Sequence, residues 1–189
     1  MEISMTRVTI FGAGKMGSAI GAIFRDGGHE VTHVTPSSAN AAIDGEIVVL
    51  AVPFGAVEAI AAAYGEQLAG RVVVDVTNPV DWVTFRPAVP GESSGAAEVA
   101  ALLPGARVVK GFNTTFVQAL SDPAKTATVL LAGDDVDAKA AVAAAVEAGG
   151  FRTIDAGGQA VARELEAFAL LQIQLAMAGK IAGLAVVPA

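Results

Sequence analysis

The sequence contains no cysteine, which excludes disulfides, thiolate metal ligands and a cysteine nucleophile. Its two histidines, His29 and His33, lack metal-ligand spacing and read as structural. Charge is sparse at 16% of residues, and 12 Lys and Arg against 19 Asp and Glu give a net charge of −7. That balance argues against nucleic acid as a partner. No cation at all stands between Arg25 and Arg71. The opening residues Met1 to Thr6 show neither a basic segment nor a long apolar one, so no signal peptide is expected. The most apolar late run, 167–178, contains Gln172 and Gln174 and is shorter than the about 20 residues needed to span a bilayer. A soluble, cytoplasmic chain without a membrane partner is expected. What the sequence has in plenty is apolar material, 53% of 189 residues, enough for one domain over 1–189 with a sheet buried on both faces.

The clearest local pattern lies near the start. Thr6 to Phe11 reads as a short strand, Gly12-Ala-Gly-Lys-Met-Gly17 fills the dinucleotide fingerprint G-x-G-x-x-G, and Met16, Ala19, Ile20, Ile23 and Phe24 mark one helix face. Gly12 permits the turn out of the strand, Gly14 lets backbone approach a pyrophosphate, and Gly17 allows close packing of helix on strand. The helix N-terminus then offers free N–H groups and the positive end of its dipole to phosphate.

Strand and helix alternate through the rest of the chain, and nothing repeats. Strands are expected at Glu30–Val34, Glu46–Ala51, Arg71–Val76, Arg107–Phe112, Thr126–Ala132 and Phe151–Asp155. Residues 35–45 leave room for only one or two helical turns where a full crossover helix is usual. Pro53 is placed to start a helix, and the Asp134-Asp135 carboxylates to cap one. Residues 80–94 read as a long loop over one sheet edge, and a last helix runs from about Ala160 to Lys180. The expected fold is therefore α/β: a single Rossmann-type, doubly wound, mostly parallel sheet with helices on both faces and a C-terminal helix.

Ligands of such sheets bind beyond the carboxyl ends of the strands. Those ends are Gly12-Ala13, Thr35, Ala51-Val52-Pro53, Thr77-Asn78-Pro79 and Phe112-Asn113-Thr114, none of them charged. Neither a carboxylate pair nor a Ser/His/Asp set is present there. Hydride transfer suits so bare a site, because positioning supplies most of the rate and the cofactor carries the chemistry.

Several longer stretches are similar to a known family. Gly12-Ala-Gly-Lys-Met-Gly17, Leu50-Ala-Val-Pro53, Val74-Asp-Val-Thr-Asn-Pro79, Lys110-Gly-Phe-Asn-Thr-Thr115, Asp155-Ala-Gly-Gly158 and Ala162-Arg-Glu-Leu-Glu166 resemble the NADP oxidoreductases dependent on coenzyme F420, a deazaflavin. The flavin-linked domains of the STEAP metalloreductases share the pattern. The resemblance implies NADP(H) along the strand ends and a deazaflavin or flavin as small-molecule electron acceptor. The chain departs from the deazaflavin enzymes in its shortened second crossover and in Asn113, where those enzymes have a histidine.

Cofactor contacts are accordingly expected from Gly12, Ala13, Gly14, Lys15, Met16 and Gly17, from Thr35 and Ser37, from Ala51, Val52, Pro53 and Val57, and from Asn78, Pro79 and Asn113. An NAD site usually places Asp or Glu where Thr35 stands, so NADP(H) is favoured, with Lys15 and Thr35 at its 2′-phosphate, although NAD is not excluded. Lys15 also reads as a solvated turn residue, and Val52, Pro53 and Val57 as ordinary core. Asn78 is expected on the nicotinamide ribose or carboxamide, and Asn113 as an acceptor-orienting residue or a helix cap. The apolar terminal helix, with Leu165, Phe168, Leu171, Leu175 and Ile181, is expected to close the acceptor side and to join a homodimer. Two other functions remain open: a dinucleotide sensor without catalysis, and an imine, pyrroline or β-hydroxyacid reductase. The latter usually carry a further helical domain and a lysine acid, for which Lys110, Lys125, Lys139 and Lys180 are the late candidates.

Overall fold

The computed structural model describes residues 5–38, 41–124 and 127–182. Lys125, the expected strand start at Thr126 and residues 39–40 of the short crossover lie outside them. The first half alternates β1 (Arg7–Phe11), α1 (Lys15–Asp26), β2 (Glu30–Val34), β3 (Ile47–Leu50), α2 (Val57–Leu68) and β4 (Val72–Asp75). The expected short crossover is a single 3-10 turn, Pro36–Ser38, and a second such turn, Phe54–Ala56, leads from Pro53 into α2. The second half comprises a hairpin of β5 (Val80–Asp81) and β6 (Arg86–Pro87), then α3 (Gly95–Leu102), β7 (Arg107–Gly111), α4 (Val117–Leu120), β8 (Thr128–Ala132), α5 (Val136–Ala148), β9 (Arg152–Gly157) and α6 (Ala162–Met177).

The main sheet has the order β2-β1-β3-β4-β7-β8-β9, parallel at every pairing except β7 with β8. The exception follows from the connection. Between β7 and β8 the helix α4 has only 4 residues, too few to carry the chain back along the sheet, so β8 returns antiparallel. Strand residues alternate between two cores, as the two-residue period requires. Ile10, Val49, Val74 and Val109 pack on the α1, α4 and α5 side with Ile20, Phe24 and Val142. Phe11, Val48, Val73 and Val108 pack on the α2 and α3 side with Leu68, Val99 and Leu103. Burial on both faces explains why these strands read as continuous apolar runs.

One expectation is corrected. Residues 80–94 are not all loop, because β5 and β6 pair antiparallel across a turn closed by Asp81, whose Oδ1 accepts from Val83 N at 2.8 Å and Thr84 N at 3.1 Å. The hairpin leans on α6, where Gln174 Nε2 donates to the Phe85 carbonyl at 3.0 Å.

Two measurements check this packing. Asp135 caps α5 by accepting from Ala138 N at 2.9 Å, so Asp135→Ala is expected to cost about 1 kcal/mol in urea unfolding. His29 is buried beneath Phe24 and its Nδ1 accepts from Thr6 N at 3.2 Å; burial holds its pKa below the ordinary 6.5. The neutral ring is thus favoured in the fold, so its contribution is intact above about pH 6.5 and declines as pH falls below that value. Replacing it with Gln is expected to flatten the melting temperature between pH 7.5 and 5.5.

Candidate functional site

The carboxyl ends of β1, β2, β3, β4 and β7 share one edge of the sheet, and most of the predicted residues collect there in two groups. At the end of β1, Gly12 has a φ of +104° and donates its N–H to the Val34 carbonyl at 2.9 Å. A Cβ on Gly12 would collide with the Ala51 carbonyl oxygen, and one on Gly17 with the carbonyl of Gly12. Gly14 differs: its φ is an ordinary −70° and nothing lies within 4 Å of a Cβ placed on it. The fold itself needs Gly12 and Gly17, whereas Gly14 keeps open a cradle above the loop. Gly14 also stands at the N-cap of α1, with no side-chain cap and no acidic residue in the first turn. The free N–H groups and dipole of that turn face an opening fit for a phosphate. His33 serves the loop from β2, its Nδ1 3.0 Å from the Gly12 carbonyl; a carbonyl only accepts, so Nδ1 carries the proton.

Beside the loop lies an apolar pocket of about 380 Å³, lined by Gly12, Thr35, Val52, Ile60 and Tyr64 among others. The Phe11 and Tyr64 rings meet edge to face in its wall, with centroids 5.1 Å apart. Hydroxyls gather at its mouth, where Thr35 Oγ1 is 2.8 Å from Ser37 Oγ and 3.3 Å from Ser38 Oγ. Ala13 and Pro53 are exposed, Ala51 and Met16 half-buried, and Val57, only 1% exposed, belongs to the α2-side core. Lys15 is exposed at the first position of α1. It lines a separate open cleft of about 500 Å³ with Ser18, Val117, Gln118 and Ser121.

The second group lies at the ends of β4 and β7. Asn78 Nδ2 donates to the Asn113 carbonyl, and Asn113 Nδ2 to Asn78 Oδ1, each at 3.0 Å. This reciprocal pair leaves the buried Asn113 Oδ1 without a partner. Asn113 does not cap the following helix, whose N-cap is Phe116. Pro79 is buried against Gly95, where a Cβ would come within 3.1 Å of its ring.

Sequence reasoning found the strand ends uncharged and missed what lies just beneath them. Lys110 on β7 is 1% exposed, and its Nζ donates to Asp75 Oδ2 on β4 at 2.9 Å, to Glu166 Oε1 on α6 at 2.7 Å and to the Thr77 carbonyl at 2.5 Å. Glu166 in turn accepts from Gly95 N at 2.8 Å and Ala96 N at 3.1 Å, at the start of α3. Gln172, one polar position further along the buried face of α6, donates to the Thr114 carbonyl at 3.2 Å. An ionisable residue inside an otherwise apolar strand, as in Val72–Asp75 and Val108–Lys110, was the available signal.

Comparison with known proteins gives these features a context. Residues 30–79 match the family described as NADP oxidoreductase, coenzyme F420-dependent. The chain is 38% identical over 107 residues to the metalloreductase STEAP3 of Rattus norvegicus, covering 56% of this chain but 21% of that protein. It is 32% identical over 154 residues to the F420-dependent NADP reductase of Methanothermobacter marburgensis, covering 77% of this chain and 69% of that one. A crystal structure from Arthrobacter sp. FB24, assigned to the F420-dependent NADP reductases, superposes with a TM-score of 0.83 at 27% identity, over 97% of this chain and 99% of that one.

The different standing of the glycines yields a test. Gly14→Val is expected to abolish NADPH binding by calorimetry while moving the melting temperature by no more than about 2–4 °C, because only the cradle is filled.

Proposed function

Because this chain belongs to the family of coenzyme F420-dependent NADP oxidoreductases, we propose that it moves a hydride between NADP(H) and a deazaflavin or flavin across the edge formed by β1–β4 and β7. The observation that carries the proposal is the Gly14 cradle at the uncapped start of α1, continuous with the apolar pocket through Gly12. In this reading the pyrophosphate sits on the N–H groups of the first turn of α1. The adenine enters the pocket between Val52, Ile60 and Tyr64, and the 2′-phosphate meets the hydroxyls of Thr35, Ser37 and Ser38. Lys15, the first residue of α1, is the cation this reading assigns, with Thr35, to the cofactor's phosphates. The nicotinamide reaches the Asn78–Asn113 pair, and bound NADP(H) supplies the hydride itself.

The protein's part is to hold two rings face to face and exclude water. No acid or base is required of it, and of the late lysines Lys110 and Lys139 are held in other contacts. Lys110 has all three N–H groups engaged, and Lys139 is tied to Asp155 at 2.7 Å and to the Gly157 carbonyl at 3.0 Å. The engagement of these two weighs against the imine and hydroxyacid reductase alternative, whose members tend to use a lysine acid. Asn113 is the residue we assign to orienting the acceptor, held in place by its reciprocal pair with Asn78.

A homodimer is part of the proposal. The hairpin and α6 are joined by Gln174, and together they expose Trp82, Val83, Leu171 and Met177. Apolar side chains gathered on one surface in this way suit a second copy of the chain. A cytoplasmic setting belongs to the same reading; among the described residues no helix is long and apolar enough to cross a membrane.

Three measurements follow. Titration is expected to show tighter binding of NADPH than of NADH, and the reverse order would remove the NADP assignment. Asn113→Ala is expected to leave NADPH affinity within about threefold and to lower turnover with the ring acceptor by up to about tenfold, the scale of one hydrogen bond. A large loss of stability with unchanged turnover per folded molecule would instead assign Asn113 to structure. Light scattering on a gel-filtered sample is expected to give twice the 18.9 kDa chain mass; a monomer would dismiss the dimer.

A further inference from the structure

The buried cluster around Lys110 has a charge that hydrogen-bond accounting fixes. The ammonium has three N–H groups and three acceptors: Asp75 Oδ2, Glu166 Oε1 and the Thr77 carbonyl. Asp75 Oδ1 accepts from Thr77 N at 2.9 Å, while Glu166 accepts from the N–H groups of Gly95 and Ala96. Every carboxylate oxygen therefore faces a donor among the described residues. Both carboxylates act here as acceptors, and against one ammonium they carry a formal excess of one negative charge, offset in part by the N–H groups at the start of α3. The side chains of Asp75 and Lys110 have no solvent exposure and that of Glu166 has 8%, so water screens this charge weakly. The cluster grips Thr77 directly before Asn78, and Lys110 on β7 stands three residues before Asn113, which lies just past the end of that strand.

Hydride loss changes the charge of the cofactor at this end. When a hydride and its electron pair leave C4 of the dihydronicotinamide for the acceptor ring, the neutral nicotinamide becomes a cation; the acceptor takes its proton from solvent. We propose that the Asp75–Lys110–Glu166 cluster, with its formal excess of one negative charge beneath the ends of β4 and β7, favours the cationic oxidised nicotinamide over the neutral reduced one and so biases the site toward hydride donation by NADPH. This rests on the dinucleotide reading given above. The three residues act as positioning and electrostatic residues without touching the reacting atoms. A purely architectural cluster would hold both redox forms of the cofactor equally.

The test is calorimetry of NADP+, NADPH and the adenine-half fragment 2′,5′-ADP on the parent protein and on Glu166→Gln and Asp75→Asn, each of which removes one negative charge. The expected result is that the affinity ratio moves against NADP+ by about threefold to tenfold in both variants, the scale of one weakly screened charge, while 2′,5′-ADP is unaffected. If one variant fails to fold, the other reads the same quantity. Equal weakening of NADP+ and NADPH, or a ratio unchanged within twofold, would overturn the charge proposal and leave the dinucleotide site standing. A parent protein that binds neither dinucleotide would overturn the functional reading itself, and this inference with it.

Discussion

The ammonium of Lys110 is where four elements of the fold meet: β7 that carries it, β4 through Asp75, α6 through Glu166, and α3 through the N–H groups that Glu166 accepts. Losing one partner of a buried ion pair typically costs about 3–5 kcal/mol because the remaining charge is stranded. That is a large share of the about 5–15 kcal/mol by which a domain is stable. The constraint fixes where α6 lies, level with Lys110 at Glu166 and level with Thr114 at Gln172. The hairpin then rests on α6 through Gln174, and the Thr77-Asn78-Pro79 loop is held from below. The Asn78–Asn113 end of the sheet edge thus inherits its geometry from the cluster beneath it.

The dinucleotide end is built differently, almost wholly from backbone. Gly12 and Gly17 let the loop close against Ala51 and against itself, Gly14 leaves the cradle, and α1 begins with its N–H groups uncapped. Between the two ends the edge offers amides, hydroxyls and apolar walls. A site of this kind places and encloses reactants, and the cofactor does the electron transfer.

That division also explains what could be seen beforehand. The glycine loop, the short crossover and the β2 span were legible because each is a local pattern: a fixed spacing, a strand too close to the next, an alternation bounded by glycines. The Asp75–Lys110–Glu166 cluster was not, because its members come from three separate elements: Asp75 and Lys110 stand out inside apolar strands, but nothing local says that they meet each other and Glu166. Lys110 was weighed only as a catalytic acid, and the structure shows it fully engaged. The reversal of β8 was equally hidden, since an apolar strand buried on both faces has the same pattern in either direction.

Direct hydride transfer from NADPH to a ring acceptor is the central claim, and isotopic substitution tests it most directly. The measurement is the anaerobic rate of acceptor reduction, with deazaflavin and separately with FMN, using NADPH carrying deuterium at C4 on one face or the other. The account predicts oxidation of NADPH with at least one of these acceptors, slowed several-fold by deuterium on a single face, because the site holds the rings in one orientation. No oxidation with either acceptor, or oxidation at a rate indifferent to deuterium on both faces, would contradict it.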